Sequence, residues 1–396
     1  MIARQQTSAA KTALIGLLSL AAAMGIGRFA FTPMFPLMHD GLGLTLAQGS
    51  WLATANYAGY FLGAVACFLL APDAADSARW GLVVVAISTI AMGWAASFPL
   101  WIVLRLVAGV ASAFVLIGAS GWALAQLASR HRSDLGGWVF AGVGVGICVA
   151  GAIALVAGTA HAAPESAWSA LGVVALAVTA SAWRLLARSA PVGGDGGSAA
   201  TTRLKPADWL LVACYGAFGF GYIIPATFIP AAARALVQDP WVFGWAWPLF
   251  GLAAAASTVL VTTVFRNIAP RRTAIASLLV MAVGVALPAA RSSIDTLVVS
   301  AICVGGTFMV MTMAGFQEAK RVSTGSPTRL ISAMTAAFAV GQLTGPVTVG
   351  LGIRVGNPLV LPSIAAAVLL ACSAVALALT QRHGAAPPPL PHEGRA

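Results

Sequence analysis

Acidic residues and histidines are scarce in this chain, eleven Asp and Glu and five His in 396 residues. Asp40, Asp73, Asp76, Asp134, Glu165, Asp195, Asp208, Asp239, Asp295, Glu318 and Glu393 all lie between apolar runs or near their ends. His39, His131, His161, His383 and His392 lie in loops or in the C-terminal tail. A membrane-embedded enzyme needs a nucleophile, a base or metal ligands gathered at membrane depth. No His/Asp/Glu cluster here supplies them, so neither catalysis nor a cofactor is expected. A cation exporter driven by protons usually keeps a carboxylate in its cavity, and no span has one at its centre. The five cysteines (Cys67, Cys148, Cys214, Cys303 and Cys372) have no paired spacing and all fall within apolar runs. They read as small buried residues, not as a disulfide framework or a metal site.

Charge of either sign is thin, 8% of residues against about 25% in a soluble domain. What is abundant is apolar: 59% hydrophobic residues, a mean hydropathy of +0.90 and 42 glycines. Such a chain is an all-α membrane protein with the lipid bilayer as its main partner. The net charge of +11 follows from basic loops on one membrane face, and nucleic acid is not an expected partner. The apolar run after Lys11 continues through Phe29 to Phe35, past any plausible cleavage point, which predicts an uncleaved first span.

A span needs about 20 apolar residues, and charge and turn signals mark off twelve. They fall near 13–36, 45–71, 80–98, 100–128, 136–159, 167–187, 208–231, 242–265, 273–290, 296–317, 330–353 and 358–380, with the third and fourth split around Ser97-Phe98-Pro99. Seventeen Lys and Arg fall on the face that carries the termini and three on the other. That bias predicts cytoplasmic termini in an inner or plasma membrane. Residues 188–207, with GGDGGS, read as a cytoplasmic linker between bundles 1–187 and 208–380, and 381–396 as a disordered tail.

The two halves repeat each other. An offset of 194 takes Trp51 to Trp245, Gly25-Ile26-Gly27-Arg28 to Gly219-Phe220-Gly221-Tyr222, and Pro36 to Pro230. An offset of 199 takes Gly142, Gly146 and Gly151 to Gly341, Gly345 and Gly350. Parallel six-helix halves around a central site form a transporter architecture.

Within the first span, AAAMGIGRFAFTPMFP carries one full charge, Arg28. A guanidinium at that depth costs roughly 3 kcal/mol or more, so it faces a polar interior and not lipid. Arg28 is therefore the leading substrate-binding candidate. A plainer reading makes it a helix-interface Arg satisfied by backbone carbonyls. Asn56 and Tyr60 share a helix face, and with Phe31, Tyr57, Trp51, Trp122, Tyr222 and Trp245 they could line a cavity. Trp and Tyr near span ends serve equally well as interfacial anchors. Gln126, Gln317 and Glu318, near helix ends, read as solvated.

In span four, Leu104-Arg105-Leu106-Val107-Ala108-Gly109 resembles a motif of the major facilitator superfamily, with Ala108 where the family often has Gln. The resemblance implies a proton-coupling role for Arg105, next to Gly109. The span-eleven glycines, with Pro346 after Gly345, resemble the family's Gly-rich fifth-helix motif. The loop after span two, with Asp73 and Arg79, occupies the place of the family's gating signature but lacks its glycines and second base. The GIGRFAFTP run with Asn56-Tyr57-Ala58-Gly59-Tyr60 is similar to the YbfB/YjiJ-type branch of that superfamily. The resemblance implies a monomeric secondary transporter with twelve helices in two pseudo-symmetric bundles. Two buried Arg without a deep carboxylate favour a small organic anion, with protons as an optional coupling ion. A pump for hydrophobic compounds is the alternative.

Overall fold

The computed structural model describes residues 8–187, 204–236, 244–291, 293–323, 327–354 and 360–381. All of the proposed tail (381–396) but Gln381, and residues 188–203 of the proposed linker (188–207), lie outside this set. Among the described residues the chain is helical throughout, with no strand. The first span runs from Ala9 to Leu42 as three joined pieces: α1 (Ala9–Leu20), a π-helical segment (Ala21–Arg28) and α2 (Phe31–Leu42). The first half continues with α3 (Leu46–Leu70), α4 (Ala74–Trp94), α5 (Phe98–Ala128), α6 (Gly136–Thr159) and α7 (Pro164–Ala187). The second contains α8 (Pro206–Leu236), α9 (Ala246–Thr263), α10 (Pro270–Ala290), α11 (Ile294–Val322), α12 (Pro327–Arg354) and α13 (Val360–Gln381). Eleven of these rods are long and apolar enough to cross a membrane among the described residues. The remaining one, α12, has 28 residues, about 42 Å of helix and ample for a bilayer core.

Local chemistry sets the helix ends. Thr45 and Gln48 form a capping box at the start of α3, and Ser293 and Thr296 form another at α11. Asp73 accepts the amides of Ala75 and Asp76 at 2.9 Å, and Gly43 ends α2 in the left-handed region at φ 68°. The break between α4 and α5 falls at 95–97, slightly earlier than the sequence suggested. Pro99 sits in the first turn of α5, where a missing amide costs nothing.

Glycines bring the helices together. A Cβ on Gly142 would stand 2.0 Å from Leu17 O, and one on Gly146 would stand 2.2 Å from Ala21 O. In the second half, a Cβ on Gly341 would stand 2.2 Å from Gly216 O, and one on Gly345 would meet Ile223 Cγ2. The repeated glycines thus do one job twice, seating α6 on the first span and α12 on α8. Gly151 does another, meeting Pro248 of α9 across the halves.

Two seams join the halves, α6 against α9 and α3 against α12. Large apolar side chains such as Leu69, Trp94 and Val156 point outward, as a lipid-facing surface requires. Cys67 and Cys214 are buried as expected, whereas Cys372 is exposed on α13.

Replacing Gly142 by Ala forces a methyl group into a backbone carbonyl, and overpacking of this kind costs about 1–3 kcal/mol. Gly121, on the same half, has open space around its would-be Cβ. Gly142→Ala should lower the melting temperature of the detergent-purified protein and Gly121→Ala should not, as read by tryptophan fluorescence.

Candidate functional site

The first span widens into a π-helix through Arg28 and then passes a turn at Phe29–Ala30 before α2 begins. Thr32 N donates to Phe29 O at 3.3 Å and Pro33 has no amide to give, so the Arg28 carbonyl has no helical donor. A buried carbonyl without a donor is costly, and Arg105 meets the need. Its Nη1 donates to Gly27 O at 3.1 Å and its Nη2 to Arg28 O at 3.0 Å. Phe31 lies under this guanidinium, 5.0 Å from ring centre to Cζ. Asn56 in turn donates Nδ2 to Arg105 O at 2.9 Å. A Cβ on Gly109 would be 2.2 Å from Asn56 O, so glycine is what lets α5 come close enough to α3 for this bond. Arg105, Gly109, Asn56 and Phe31 therefore form one assembly that holds the broken end of the first span. The plainer role considered for Arg28, satisfying backbone carbonyls, belongs to Arg105.

Arg28 itself is 2% exposed and faces the other half. Its Nη2 donates to Oε1 of Gln342 on α12. Its Cζ lies 3.5 Å from the centre of the Tyr60 ring, with Phe29 at 5.4 Å and Tyr57 at 5.7 Å. A desolvated cation–π contact contributes about 2 kcal/mol, but aromatic rings accept no hydrogen bond as a carboxylate does. Arg28 Nε and Nη1 have no partner among the described residues, and neither does Gln342 Nε2. A buried donor left unmet costs about 1–3 kcal/mol, so the arrangement is complementary to an acceptor it does not contain.

Opposite Arg28 stands an aromatic wall from the second half. Tyr222, the repeat equivalent of Arg28, stacks on Phe308 at 4.8 Å and on Phe338 at 5.9 Å. Phe29 meets Phe308 edge-on at 5.8 Å, and Tyr60 meets Phe338 edge-on at 6.5 Å. Arg28, Tyr60 and Tyr222 are thus brought together, all buried. Gln342, Phe308 and Phe338 were not singled out from the sequence. Gln342 carried a usable signal, an amide between the two packing glycines of span eleven, whereas the phenylalanines are indistinguishable from core residues. Trp51 and Trp245 lie outside the site, 64% and 52% exposed, while Trp122 is buried within α5.

The residues at the gating position do not meet the second half among the described residues. Asp73 is the α4 cap. Arg79 pairs with Asp76 at 3.3 Å and covers the Trp183 ring at 4.2 Å. Their counterpart region is more strongly knit: Glu318 is buried, not solvated, and pairs with Arg321 at 3.0 Å and Arg271 at 3.6 Å. Arg271 also reaches Leu377 O at 3.0 Å and the Thr380 hydroxyl, tying α10, α11 and α13 together. Gln126 is buried too, within reach of Arg130 at 3.3 Å. Gly345 packs on α8, and Pro346 lies in α12 with its side chain outside the described set.

Removing one partner of a buried ion pair costs about 3–5 kcal/mol; Arg321 is more than half exposed, so Glu318→Gln should fall below that range. It should still lower thermal stability measurably. Arg105→Ala, which orphans two buried carbonyls, should destabilise the fold as well as the site, seen as a lower melting temperature in detergent.

No curated protein is similar enough to be matched. The family model described as "Uncharacterised MFS-type transporter YbfB" matches residues 20–378, nearly the whole chain and both repeats. Twelve helical rods among the described residues, eleven of them long and apolar enough to cross a membrane, together with duplicated halves and a charged residue on the seam between them, agree with that match, and the chain belongs to this YbfB-type family of major facilitator transporters.

Proposed function

We propose that this transporter carries a small organic anion, held at the seam by Arg28 and moved by alternating access as residues 1–187 rock against 208–380. One observation carries the reading: a permanently charged guanidinium is buried between the halves with two unmet N–H groups and no carboxylate paired with it among the described residues. A charge-assisted contact to an anionic cargo would complete it. Tyr60 and Tyr222 flank the cargo, which favours an amphipathic or aromatic body, with Asn56 and Phe31 one layer behind. Arg105, Gly109, Gly345 and Pro346 belong to the elements that move, and Asp73 and Arg79 to the start of α4 at the gating position.

No acid or histidine of the described seam could carry a proton, so protons enter the cycle with the cargo as a weak acid, or the carrier exchanges anions. The Lys/Arg bias supports an inner membrane with cytoplasmic termini. The aromatic wall of Tyr222, Phe308 and Phe338 also favours a second reading, export of uncharged hydrophobic compounds.

In proteoliposomes loaded with the full chain, Arg28→Ala should reduce uptake of radiolabelled carboxylates at least a hundredfold. Arg28→Lys, which keeps the charge but loses the planar fork, should retain a minor part of it. Undiminished carboxylate flux in Arg28→Ala would remove Arg28 from the site, and export of hydrophobic dyes with no carboxylate flux would establish the second reading.

A further inference from the structure

Three hydrogen-bond donors sit together at the seam with no acceptor among the described residues. Two are Arg28 Nε and Nη1, and the third is Gln342 Nε2. Covalent geometry keeps the third close, because Gln342 Oε1 accepts from Arg28 Nη2 and Nε2 belongs to the same planar amide. An amide beside a cation turns its carbonyl toward it, and beside an anion it turns its N–H groups. The last torsion of Gln is broad and roughly two-fold, so the reversal is mechanically easy within one side chain.

We infer that Gln342 is the second half's ligand for a carboxylate cargo, and that its carbonyl oxygen stands in for that carboxylate when the carrier is empty. This rests on the reading of Arg28 as the anion site. When the carboxylate docks on Arg28, the amide turns over and donates Nε2–H to it. The direct Arg28–Gln342 bond becomes a bridge through the cargo, and the halves remain tied in both states.

The donor set also fixes the class of anion. Once the amide turns over and frees Nη2, a planar carboxylate with two oxygens matches an Arg fork (Nη2 with Nε or with Nη1) plus one amide. A dianionic phosphate would need a second cation, and Arg105 is committed to the carbonyls of Gly27 and Arg28. Tyr60 already covers one face of the guanidinium, and Tyr222, Phe308 and Phe338 stack on one another as an apolar cluster. The cargo is therefore a monocarboxylate with an apolar body.

The test uses the purified full chain and its melting temperature against increasing benzoate, phenylacetate and hexanoate, with benzamide as the uncharged control. Benzoate should stabilise the wild-type protein and benzamide should not. Gln342→Leu should weaken benzoate binding about tenfold, in keeping with loss of one hydrogen bond to a charged group. Gln342→Glu supplies a fixed acceptor to Arg28, so it should raise the melting temperature of the unliganded protein and abolish the benzoate response. A single cooperative melting transition in each unliganded variant shows that both are folded. Benzoate binding unchanged in both Gln342 variants but lost in Arg28→Ala would overturn this inference and leave the anion site standing. An equal response in wild type and Arg28→Ala, or none to any of the three carboxylates, would overturn the anion site and this inference with it.

Discussion

A guanidinium keeps its charge under physiological conditions, and a bilayer offers it neither water nor counter-ion. The centre of this protein is arranged around that constraint. The first span changes from π-helix to α-helix just after Arg28, and the irregular turn leaves backbone carbonyls that need donors. A second buried cation, Arg105, supplies them. The two arginines therefore have different status: Arg105 uses both terminal nitrogens on backbone carbonyls and keeps only Nε unmet, whereas Arg28 has Nε and Nη1 unmet among the described residues.

Much of this could be read from the residues before any coordinates. Hydrophobic runs, the Lys/Arg bias and the 194- and 199-residue offsets define a duplicated helical membrane protein, because span length and loop charge are local properties. Arg28 was conspicuous as a single full charge in an apolar run. The division of labour between Arg28 and Arg105 was not legible, since it depends on which helix crosses which broken turn. Glu318 misled for a related reason. Its place near a helix end suggested water, but Arg271 arrives from another helix and the pair closes over it. Phe308 and Phe338 gave no signal because an aromatic in an apolar helix looks the same whether it packs a core or walls a site.

The duplication also shows where the two halves have diverged. Glycines at equivalent positions do equivalent work on α6 and α12, so the packing frame is symmetric. Arg28 faces its own repeat equivalent, Tyr222, across the seam. Gln342, by the second offset, corresponds to Val143, an apolar core residue. The frame is kept in duplicate, and the polar pair at the centre occurs once.

The two seams differ in texture. Along α6, Gly137, Gly144 and Gly151 recur at every seventh position and lie against Thr258 O, Gly251 O and the Pro248 ring of α9, with no large side chain between the helices at these points. The α3–α12 seam instead interlocks bulky groups, Tyr60 with Phe338 and Phe68 with Arg329. A smooth contact can swivel without unseating side chains, whereas a toothed one must first disengage. Separation of the halves would then be lopsided, like a book opening from its spine at α6–α9, and Arg28 would meet solvent from the fore-edge, beside Tyr60.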